Sequence, residues 1–258
     1  MAHIELEKIS LTYPIYGADA RSLKTSMINF ATGGRLDGAS GLVKVEALKN
    51  INLRLEDGDR LGLIGHNGAG KTTLLKVLAQ IYEPTSGTLK ISGRTNCIFD
   101  IMMGMDVELT GYENITLRGL ILGLSKQEIK RAIPDIEEFA QLGDFIKMPV
   151  KSYSAGMLIR LAFGIITSIS SDILLVDEIV NVGDAQFMDK AKTRITSLVH
   201  RSKIMVLSSH DNRVIKELCN KALVLDQGRI KFFGSIEEAF MDKTNAEPHL
   251  EMEPALSR

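Results

Sequence analysis

The sequence is most informative at the stretch Leu61-Gly-Leu-Ile-Gly-His-Asn-Gly-Ala-Gly-Lys-Thr-Thr-Leu-Leu75. A short apolar run enters a glycine-rich bend and a helix-like run follows it, which is the strand–loop–helix setting of the G-x-x-x-x-G-K-[ST] pattern. Glycines let the backbone curl so that consecutive N–H groups point at phosphate oxygens, and the dipole of the following helix adds positive potential there. An ordinary glycine-rich turn is the alternative, but the flanking signals favour a binding site for a nucleoside triphosphate.

The same loop supplies most of the candidate binding residues. We expect Lys71 to reach the β- and γ-phosphates and the Thr72 hydroxyl to ligate Mg²⁺. The residues predicted to contact the nucleotide here are Gly65, His66, Asn67, Gly68, Ala69, Gly70, Lys71, Thr72 and Thr73.

Composition and charge limit the classes of protein that this chain can belong to. It has 258 residues, of which 45% are hydrophobic and 24% charged, and its formal net charge is −1, so no global field points towards nucleic acid or acidic lipid. Cys97 and Cys219 are too few for a disulfide framework, which fits a reducing cytoplasm. No run approaches the ~20 apolar residues of a membrane span, and the N-terminus carries charges where a signal peptide needs an apolar run. We therefore expect a globular protein that acts at a membrane, if at all, from outside the bilayer.

Alternating apolar and polar residues predict an antiparallel sheet beside the nucleotide-binding core. Residues 3–13 alternate, and Ile51, Leu53 and Leu55 belong to a second alternating stretch, as half-exposed paired strands do. The segment 14–46 between them is richer in Gly, Ser, Ala and Arg. It is either an irregular surface excursion or a short amphipathic helix that touches lipid headgroups or a membrane partner.

The rest of the chain divides into a helical region and a region of alternating strands and helices. Region 100–164 has helical character: a capping box at Ser125–Glu128 opens one helix, which Pro134 is expected to divide or kink, and another starts near Ser154. In the last third, continuous apolar strands alternate with helices, as in a parallel sheet covered on both faces. The predicted fold is α/β, a P-loop NTPase core with a mostly parallel sheet, an antiparallel β subdomain and an inserted helical subdomain.

Chemically active side chains follow two of the predicted buried strands. Asp177 and Glu178 end one strand and His210 ends the next. In a phosphate-loop enzyme, Asp177 is suited to hold the Mg²⁺ shell and Glu178 to orient or deprotonate the attacking water. His210 can sense or stabilise γ-phosphate charge. The alternative is that the acids are merely solvated and the histidine is structural. The presence of Lys71 in the same fold argues against this alternative. We therefore take Lys71, Glu178 and His210 as the catalytic candidates.

Four motifs occur in a fixed order and spacing: Gly65–Thr72, Ser154-Ala-Gly156, Leu174–Glu178 and His210. As a set they resemble those of the ATPase subunits of ABC transporters. The resemblance covers nearly the whole chain and implies ATP and Mg²⁺ as cofactors and a head-to-tail homodimer with two ATP molecules between the subunits. Each ATP would be held by Lys71 of one subunit and by Ser154–Gly156 of the other. Tyr13 would stack on the adenine ring, unless it is an ordinary strand-end aromatic.

The resemblance also implies a domain organisation. Residues 1–242 would form a single ABC ATPase domain, with 1–99 and 165–242 as nucleotide-binding core and β subdomain, 100–164 as helical subdomain, and 243–258 as a polar C-terminal tail. Some relatives carry a further carbohydrate-binding domain after the ATPase domain, and because the sequence ends at Arg258 we expect none here.

Closer similarity points to a subfamily that exports lipid-linked polysaccharides such as O-antigen and teichoic acid. The stretches that carry it are Tyr13-Pro-Ile-Tyr16, Glu108-Leu-Thr-Gly-Tyr-Glu-Asn114, Tyr153-Ser-Ala-Gly-Met157 and Val182-Gly-Asp184. This implies a transport-coupled ATP hydrolase at the cytoplasmic face of the bacterial inner membrane, working through a separate membrane-spanning permease and binding no nucleic acid. The alternatives are a teichoic acid or capsule exporter, a soluble ABC ATPase of ribosomes or DNA, and a nucleotide-gated scaffold without turnover.

The sequence departs from the general ABC pattern at three places. The signature reads Tyr-Ser-Ala-Gly-Met rather than Leu-Ser-Gly-Gly-Gln, so Ala155 and Met157 lack the usual glycine and amide. No Gln occurs where the coupling loop should begin; Asp100 is the nearest polar residue, and an acid there can contact Mg²⁺ or water. Asp184 follows Val-Gly rather than Ala-Leu, and it can fill the same role at the dimer contact.

Overall fold

The computed structural model describes residues 1–15, 36–37, 43–99, 101–177 and 185–241. The strands are β1 (His3–Ile15), β2 (Leu36–Asp37), β3 (Val43–Glu56), β4 (Arg60–Ile64), β5 (Ser86–Ser92), β6 (Thr95–Ile98), β7 (Ile173–Asp177), β8 (Ile204–Ser208), β9 (Lys221–Asp226) and β10 (Arg229–Ser235). The α-helices are α1 (Lys71–Leu78), α2 (Gly111–Ile121), α3 (Lys126–Ala140), α4 (Ala155–Thr167), α5 (Ala185–Arg201), α6 (Asn212–Leu218) and α7 (Ile236–Met241). Two short 3-10 helices, Gly143–Lys147 and Val150–Ser152, connect α3 with α4.

The central layer is a six-stranded sheet in the order β10-β9-β4-β8-β7-β6. Strands β9, β4, β8, β7 and β6 run parallel, and the β9–β10 hairpin is antiparallel. Along the central strands, alternate residues belong to two hydrophobic clusters. Leu175 and Val206 pack with α1, while Leu174 and Met205 pack with α4 and α5. Because both faces of the sheet are covered, the sequences of β7 and β8 are continuous apolar runs. The predicted mostly parallel sheet is confirmed.

The second sheet is antiparallel, in the order β2-β3-β1-β5, as the alternating stretches predicted. Its inner face includes Ile4, Leu6 and Ile9, which are buried. They share one core with Leu74 and Leu75 of α1. Because α1 lies in the core that the two sheets share, the start of this helix and the loop before it are held in a fixed position.

The predicted boundaries of segment 14–46 were wrong at both ends, because β1 runs to Ile15 and β3 begins at Val43. These two strand ends pair with each other, and β-branched residues favour the extended backbone there. Residues 16–35 and 38–42 lie outside the described residues, so the choice between an irregular excursion and an amphipathic helix stays open.

The helical region has a hydrophobic cluster of its own. It contains Ile115 of α2, Ile129 and Ile136 of α3, and Leu161 and Ile165 of α4. The neighbouring face of α4, with Phe163 and Ile166, packs instead in the cluster that contains β7 and α5. Helix α4 therefore joins the helical region to the central sheet.

Helix α3 begins at the predicted capping box, and of the two expectations for Pro134, division or a kink, the division of the helix is contradicted. Ser125 N donates to Glu128 Oε2 at 2.7 Å and Glu128 N donates to Ser125 Oγ at 3.3 Å. The helix runs unbroken through Pro134 to Ala140. A proline removes one N–H donor, but the buried face formed by Ile129 and Ile136 continues on both sides of it, and that packing maintains the helix.

Strand β6 and helix α7 were not predicted from the sequence. Strand β6 is only four residues long and contains the buried Asn96, so its apolar signal is weak. Helix α7 spans six residues and follows β10 directly. Among the helices within the described ranges, none combines the length and the apolar character that crossing a membrane would require.

Candidate nucleotide-binding site

The phosphate loop, residues 65–72, connects β4 to α1 and is braced by the β9–β10 hairpin. Gly228 at the turn of this hairpin donates its N–H to Ala69 O at 2.8 Å and accepts from Lys49 N at 2.8 Å. Its φ is +75°, and a Cβ there would lie 2.5 Å from Ala47 O, so only glycine fits. Gly70 caps α1 with φ +111°. The loop is thus held between β3 and a hairpin distant in sequence.

Lys71 occupies the first turn of α1 with its ammonium group over the loop. The side chain is 7% exposed, and Nζ donates to Gly65 O at 2.7 Å and to His66 O at 3.3 Å. These carbonyls are neutral acceptors, whereas phosphate oxygens carry charge and form stronger bonds with an ammonium group. The geometry therefore lets Lys71 exchange loop carbonyls for phosphates with little movement of its backbone.

Thr72 and Asp177 meet although 105 residues separate them. Thr72 Oγ1 donates to Asp177 Oδ2 at 2.6 Å. They come together because α1 starts at the carboxyl end of β4 and Asp177 ends β7, so both lie at the same edge of the sheet. A hydroxyl and a carboxylate are oxygen donors of the type that Mg²⁺ takes, usually together with waters and substrate phosphates. The donor set fits the predicted magnesium ion.

A cavity of about 550 Å³ opens in front of the loop. Its lining consists of Tyr13, Val45, Ala47, Asn67, Gly68, Ala69, Gly70, Lys71, Thr72, Thr73, Phe99, Asp177, Ser208 and His210. The structure thus brings together the loop and three predicted residues that are far from it in sequence, Tyr13, Asp177 and His210. His210 lies at this edge because it comes two residues after the end of β8.

Four lining residues were missed by the sequence analysis: Val45, Ala47, Phe99 and Ser208. Ser208 is the last residue of β8, is 2% exposed and lies opposite Asp177 in the sheet. Its position at the end of a buried strand, two residues before His210, was a signal that pointed to it. Phe99 directly follows β6, and because that strand was not predicted, no signal pointed to Phe99.

Tyr13 lies at the end of the cavity formed by β1 and β3. Its ring meets the ring of Tyr82 edge to face, with centroids 5.5 Å apart and planes at 75°. Burial raises the pKa of Tyr13, and a hydrogen bond with Thr73 opposes this shift. The edge-to-face contact with Tyr82 orients the Tyr13 ring at this end of the cavity. Tyr82, which fixes the orientation, was not singled out from the sequence.

The His66 side chain does not line the cavity, although it was predicted to contact the nucleotide. Its Nδ1 lies 2.7 Å from Asn67 O and its Nε2 lies 3.1 Å from Asp226 Oδ1 on β9. Burial tends to raise the pKa of Asp226, but hydrogen bonds with His66 and Lys231 lower it overall. The ring therefore links the phosphate loop to the hairpin, and the backbone carbonyl of His66 is the part that meets Lys71.

The predicted signature residues lie at the N-terminus of α4 and not in the cavity. Ser154 caps this helix and accepts from Met157 N at 3.3 Å. Ser154, Ala155 and Gly156 are exposed, and a Cβ added at Gly156 would meet nothing within 4 Å. Within the described part of one chain, these residues are separate from the cavity that contains Lys71.

Three predicted residues lie outside the described residues. They are Asp100, Glu178 and Asp184. Their roles in metal binding, in activation of water and at the dimer contact stay predictions.

A phosphate loop at the carboxyl end of one parallel strand and an aspartate at the end of another define a phosphate-loop NTPase. Residues 48–181 match the family model described as ABC transporter. The chain belongs to this family, and its nucleotide-binding core is an ABC-type ATPase.

The chain is also similar to individual proteins. The chain is 46% identical over 231 residues to the O-antigen export system ATP-binding protein RfbE of Yersinia enterocolitica, covering 89% of this chain and 97% of that protein. It is 44% identical over 192 residues to the teichoic acids export ATP-binding protein TagH of Shouchella clausii, covering 74% of this chain and 53% of that protein. The chain thus spans nearly all of the first relative and about half of the second.

Among solved structures, the fold resembles that of an ATP-binding subunit of an ABC transporter. The TM-score is 0.68 at 20% identity, and the match covers 93% of each chain. At this identity the similarity concerns the fold, and the predicted fold class is confirmed.

Proposed function

We propose that this chain is the ATP-hydrolysing subunit of an ABC exporter that moves lipid-linked polysaccharide of the O-antigen type across the cytoplasmic membrane. The observation that carries this proposal is the 46% identity to RfbE of Yersinia enterocolitica over 97% of that protein. Teichoic acid export is the second candidate, favoured by the 44% identity to TagH of Shouchella clausii. Either cargo would pass through a separate membrane-spanning subunit, with this chain bound peripherally at the cytoplasmic face.

In the proposed mechanism, Lys71 leaves the carbonyls of Gly65 and His66 and binds the β- and γ-phosphates of ATP. Thr72 and Asp177 would hold Mg²⁺, which would supply positive charge to the phosphates, and Asp100 would contribute a further oxygen to the same shell. The 2.6 Å hydrogen bond between Thr72 Oγ1 and Asp177 Oδ2 supports the assignment of these two residues to the metal. Tyr13 stacks on the adenine ring at the far end of the cavity.

Hydrolysis requires a base and a group that meets the γ-phosphate. We assign Glu178, which follows Asp177, to orient and deprotonate the attacking water, and His210 to the γ-phosphate. The presence of His210 in the cavity lining supports the second assignment.

The proposed active form is a head-to-tail homodimer. The exposed start of α4 favours this, because its first-turn N–H groups attract anions, its first turn carries no acidic residue, and no side chain at Gly156 blocks access. In the dimer, Ser154, Ala155 and Gly156 of one subunit contact the γ-phosphate bound by Lys71 of the other. ATP then stabilises the closed dimer, and hydrolysis removes that stabilisation.

The membrane-spanning subunit would dock on the surface formed by residues 101–121. Four apolar side chains are exposed there, although water disfavours them: Met103, Val107, Leu120 and Ile121. A Cβ at Gly104 would lie 3.1 Å from Ile121 Cδ1, so the loop before α2 and the end of α2 form a continuous surface. Exposed apolar clusters of this kind mark protein or membrane contacts.

The export role is tested in a cell that lacks the chromosomal copy of this gene. Plasmid-borne wild-type protein should restore surface polysaccharide and co-purify with a membrane protein, while Lys71→Ala should co-purify but leave the polysaccharide inside. Immunoblots with O-antigen and teichoic acid antibodies distinguish the two cargoes. Unchanged surface polysaccharide in the deletion strain, or co-purification with ribosomes instead of a membrane protein, would contradict the proposal.

A further inference from the structure

A second cavity, of about 840 Å³, lies between α3 and α5 and is called the α3–α5 groove here. Three of its lining residues, Arg94, Ser170 and Arg201, precede β6, β7 and β8 in the chain. The groove therefore lies at the amino-terminal ends of these strands, whereas the nucleotide cavity lies at the carboxyl ends of β4, β7 and β8. The two cavities are at opposite edges of the sheet, and the α3–α5 groove has no part in the nucleotide site.

The charged side chains of the groove are unevenly paired. Asp135 forms an ion pair with Arg194, and Glu128 forms one with Arg94 at 3.2 Å. The third acid of the lining, Asp189, is exposed and forms no ion pair with the described groove residues. The cations of the lining that have no carboxylate partner within the described ranges are Arg131, Lys190 and Arg201.

Two arginines of the wall are held in place, and one of them keeps unused hydrogen-bonding capacity. Arg194 Nε donates to Thr167 Oγ1 at 2.9 Å, and its guanidinium lies 4.9 Å from the ring centroid of Phe139. Arg94 Nη1 donates to Glu128, but its buried Nη2 has no hydrogen-bond partner. Since buried donors are normally satisfied, Arg94 has more donors than its own neighbours use.

The lining of the groove combines apolar and polar groups. Helix α3, helix α5 and the turn after α4 form its walls, and its floor contains the buried apolar residues Phe139 and Ile169. Hydroxyl groups of Ser170 and Ser197 add short polar donors. Three cations without a carboxylate partner favour a ligand with more than one negative charge, which a phosphate group has and a single carboxylate lacks.

We propose that the α3–α5 groove binds a phosphate-bearing ligand, with Arg131 and Arg201 as its principal contacts. Guanidinium groups bind phosphate oxygens bidentately, which gives them an advantage over ammonium groups at such a site. The phosphate can belong to a free phosphorylated molecule or to a lipid headgroup, and both present the same chemistry to the groove. This site does not depend on the proposed export function.

Two double variants of the full chain test the proposal. Arg131→Ala/Arg201→Ala removes one groove cation from each of the two helices. Lys130→Ala/Lys192→Ala removes the same charge from the same two helices, at exposed positions that do not line the groove. Saturating MgADP fills the phosphate loop, so that titration calorimetry with inorganic pyrophosphate reports the groove. Flotation with phosphatidylcholine vesicles, with and without phosphatidic acid, tests the headgroup source.

We expect wild type and the lysine variant to bind one of the two probes and the arginine variant to bind it at least about tenfold more weakly. Pyrophosphate binding identifies a free ligand, and binding to phosphatidic acid vesicles alone identifies a headgroup. Absence of binding to both probes, or equal weakening in both variants, would overturn the proposal. Stronger binding of poly-glutamate than of pyrophosphate would instead assign the groove to an acidic peptide.

Discussion

Substitution of Asn114 should leave nucleotide binding intact and impair coupling to the membrane subunit. It is completely buried on α2. Its Oδ1 accepts from Asp106 N at 2.8 Å, and its Nδ2 donates to the carbonyls of Asp106, Leu109 and Thr110 at 2.8, 3.2 and 3.0 Å. One side chain therefore closes the loop that carries the exposed Val107 of the proposed docking surface.

The size of the effect follows from this geometry. Two amide protons and one carbonyl oxygen permit about three full hydrogen bonds, each worth about 1 kcal/mol net. The loop around Asp106 is exposed, so water replaces part of the loss, and Asn114→Ala should lower the free energy of unfolding by about 2 kcal/mol. For a chain of this size that corresponds to a decrease in melting temperature of about 4–8 °C.

The assay compares the isolated subunit with the subunit bound to its membrane partner. Because Asn114 is not in the nucleotide cavity, Asn114→Ala should bind ATP with wild-type affinity but lose the partner-dependent part of its ATPase rate. Thr116→Ala on the same helix is the matched control, since Thr116 is exposed and its hydroxyl donates only to Tyr112 O. Normal coupling in Asn114→Ala despite the expected loss of stability would refute the assigned role of the loop.

Further predictions concern the two sites and the capping box. Glu178→Gln should keep ATP binding and trap a dimer on size-exclusion chromatography while abolishing phosphate release; undiminished release removes Glu178 from its role. Mixing inactive Lys71→Ala with inactive Gly156→Asp should restore one intact composite site per heterodimer and hence measurable ATPase activity, and a mixture that stays inactive argues against sites shared between subunits. Hydrogen bonds from Ser125 and Arg94 lower the pKa of Glu128 from 4.5 to about 2, so the stability that it contributes is present above pH 4.5 and is lost as the pH falls towards 2. Glu128→Gln should therefore melt below wild type at pH 7, with a difference that shrinks below pH 4.5; a difference independent of pH would contradict the shift.

The parts of the fold that could be predicted from the sequence are those with a local physical signal. The alternation of Ile4, Leu6 and Ile9 identified β1, and the capping box at Ser125 fixed the start of α3. Strand β6 gave no such signal, because it is short and its buried Asn96 donates to Ile166 O at 2.9 Å. That hydrogen bond joins residues 70 positions apart, so no local pattern contains it.

The same distinction holds for the nucleotide site. Lys71 and Thr72 follow from the glycine pattern, and Asp177 from its place at a strand end. The hairpin that braces the loop through Gly228 and Asp226 is more than 150 residues away in sequence. Its contacts depend on β9 lying beside β4 in the sheet, which is a property of the tertiary structure that the sequence pattern does not contain.

The division between the cavity and the start of α4 explains why a single chain is expected to bind ATP without turning it over. In the proposed mechanism one chain provides Lys71, Thr72 and Asp177 on one side of the phosphates; in the structure, neutral carbonyls hold the ammonium group of Lys71 and Thr72 bonds to Asp177. The donors of Ser154–Gly156 face solvent, where water competes for them and the charge that develops on the γ-phosphate is screened. In the proposed homodimer, closing a second subunit over the cavity would exclude that water and supply the missing donors in one step. Hydrolysis would then occur only in the closed state, so that each turnover is tied to one cycle of closing and opening, as a subunit that drives a membrane partner requires.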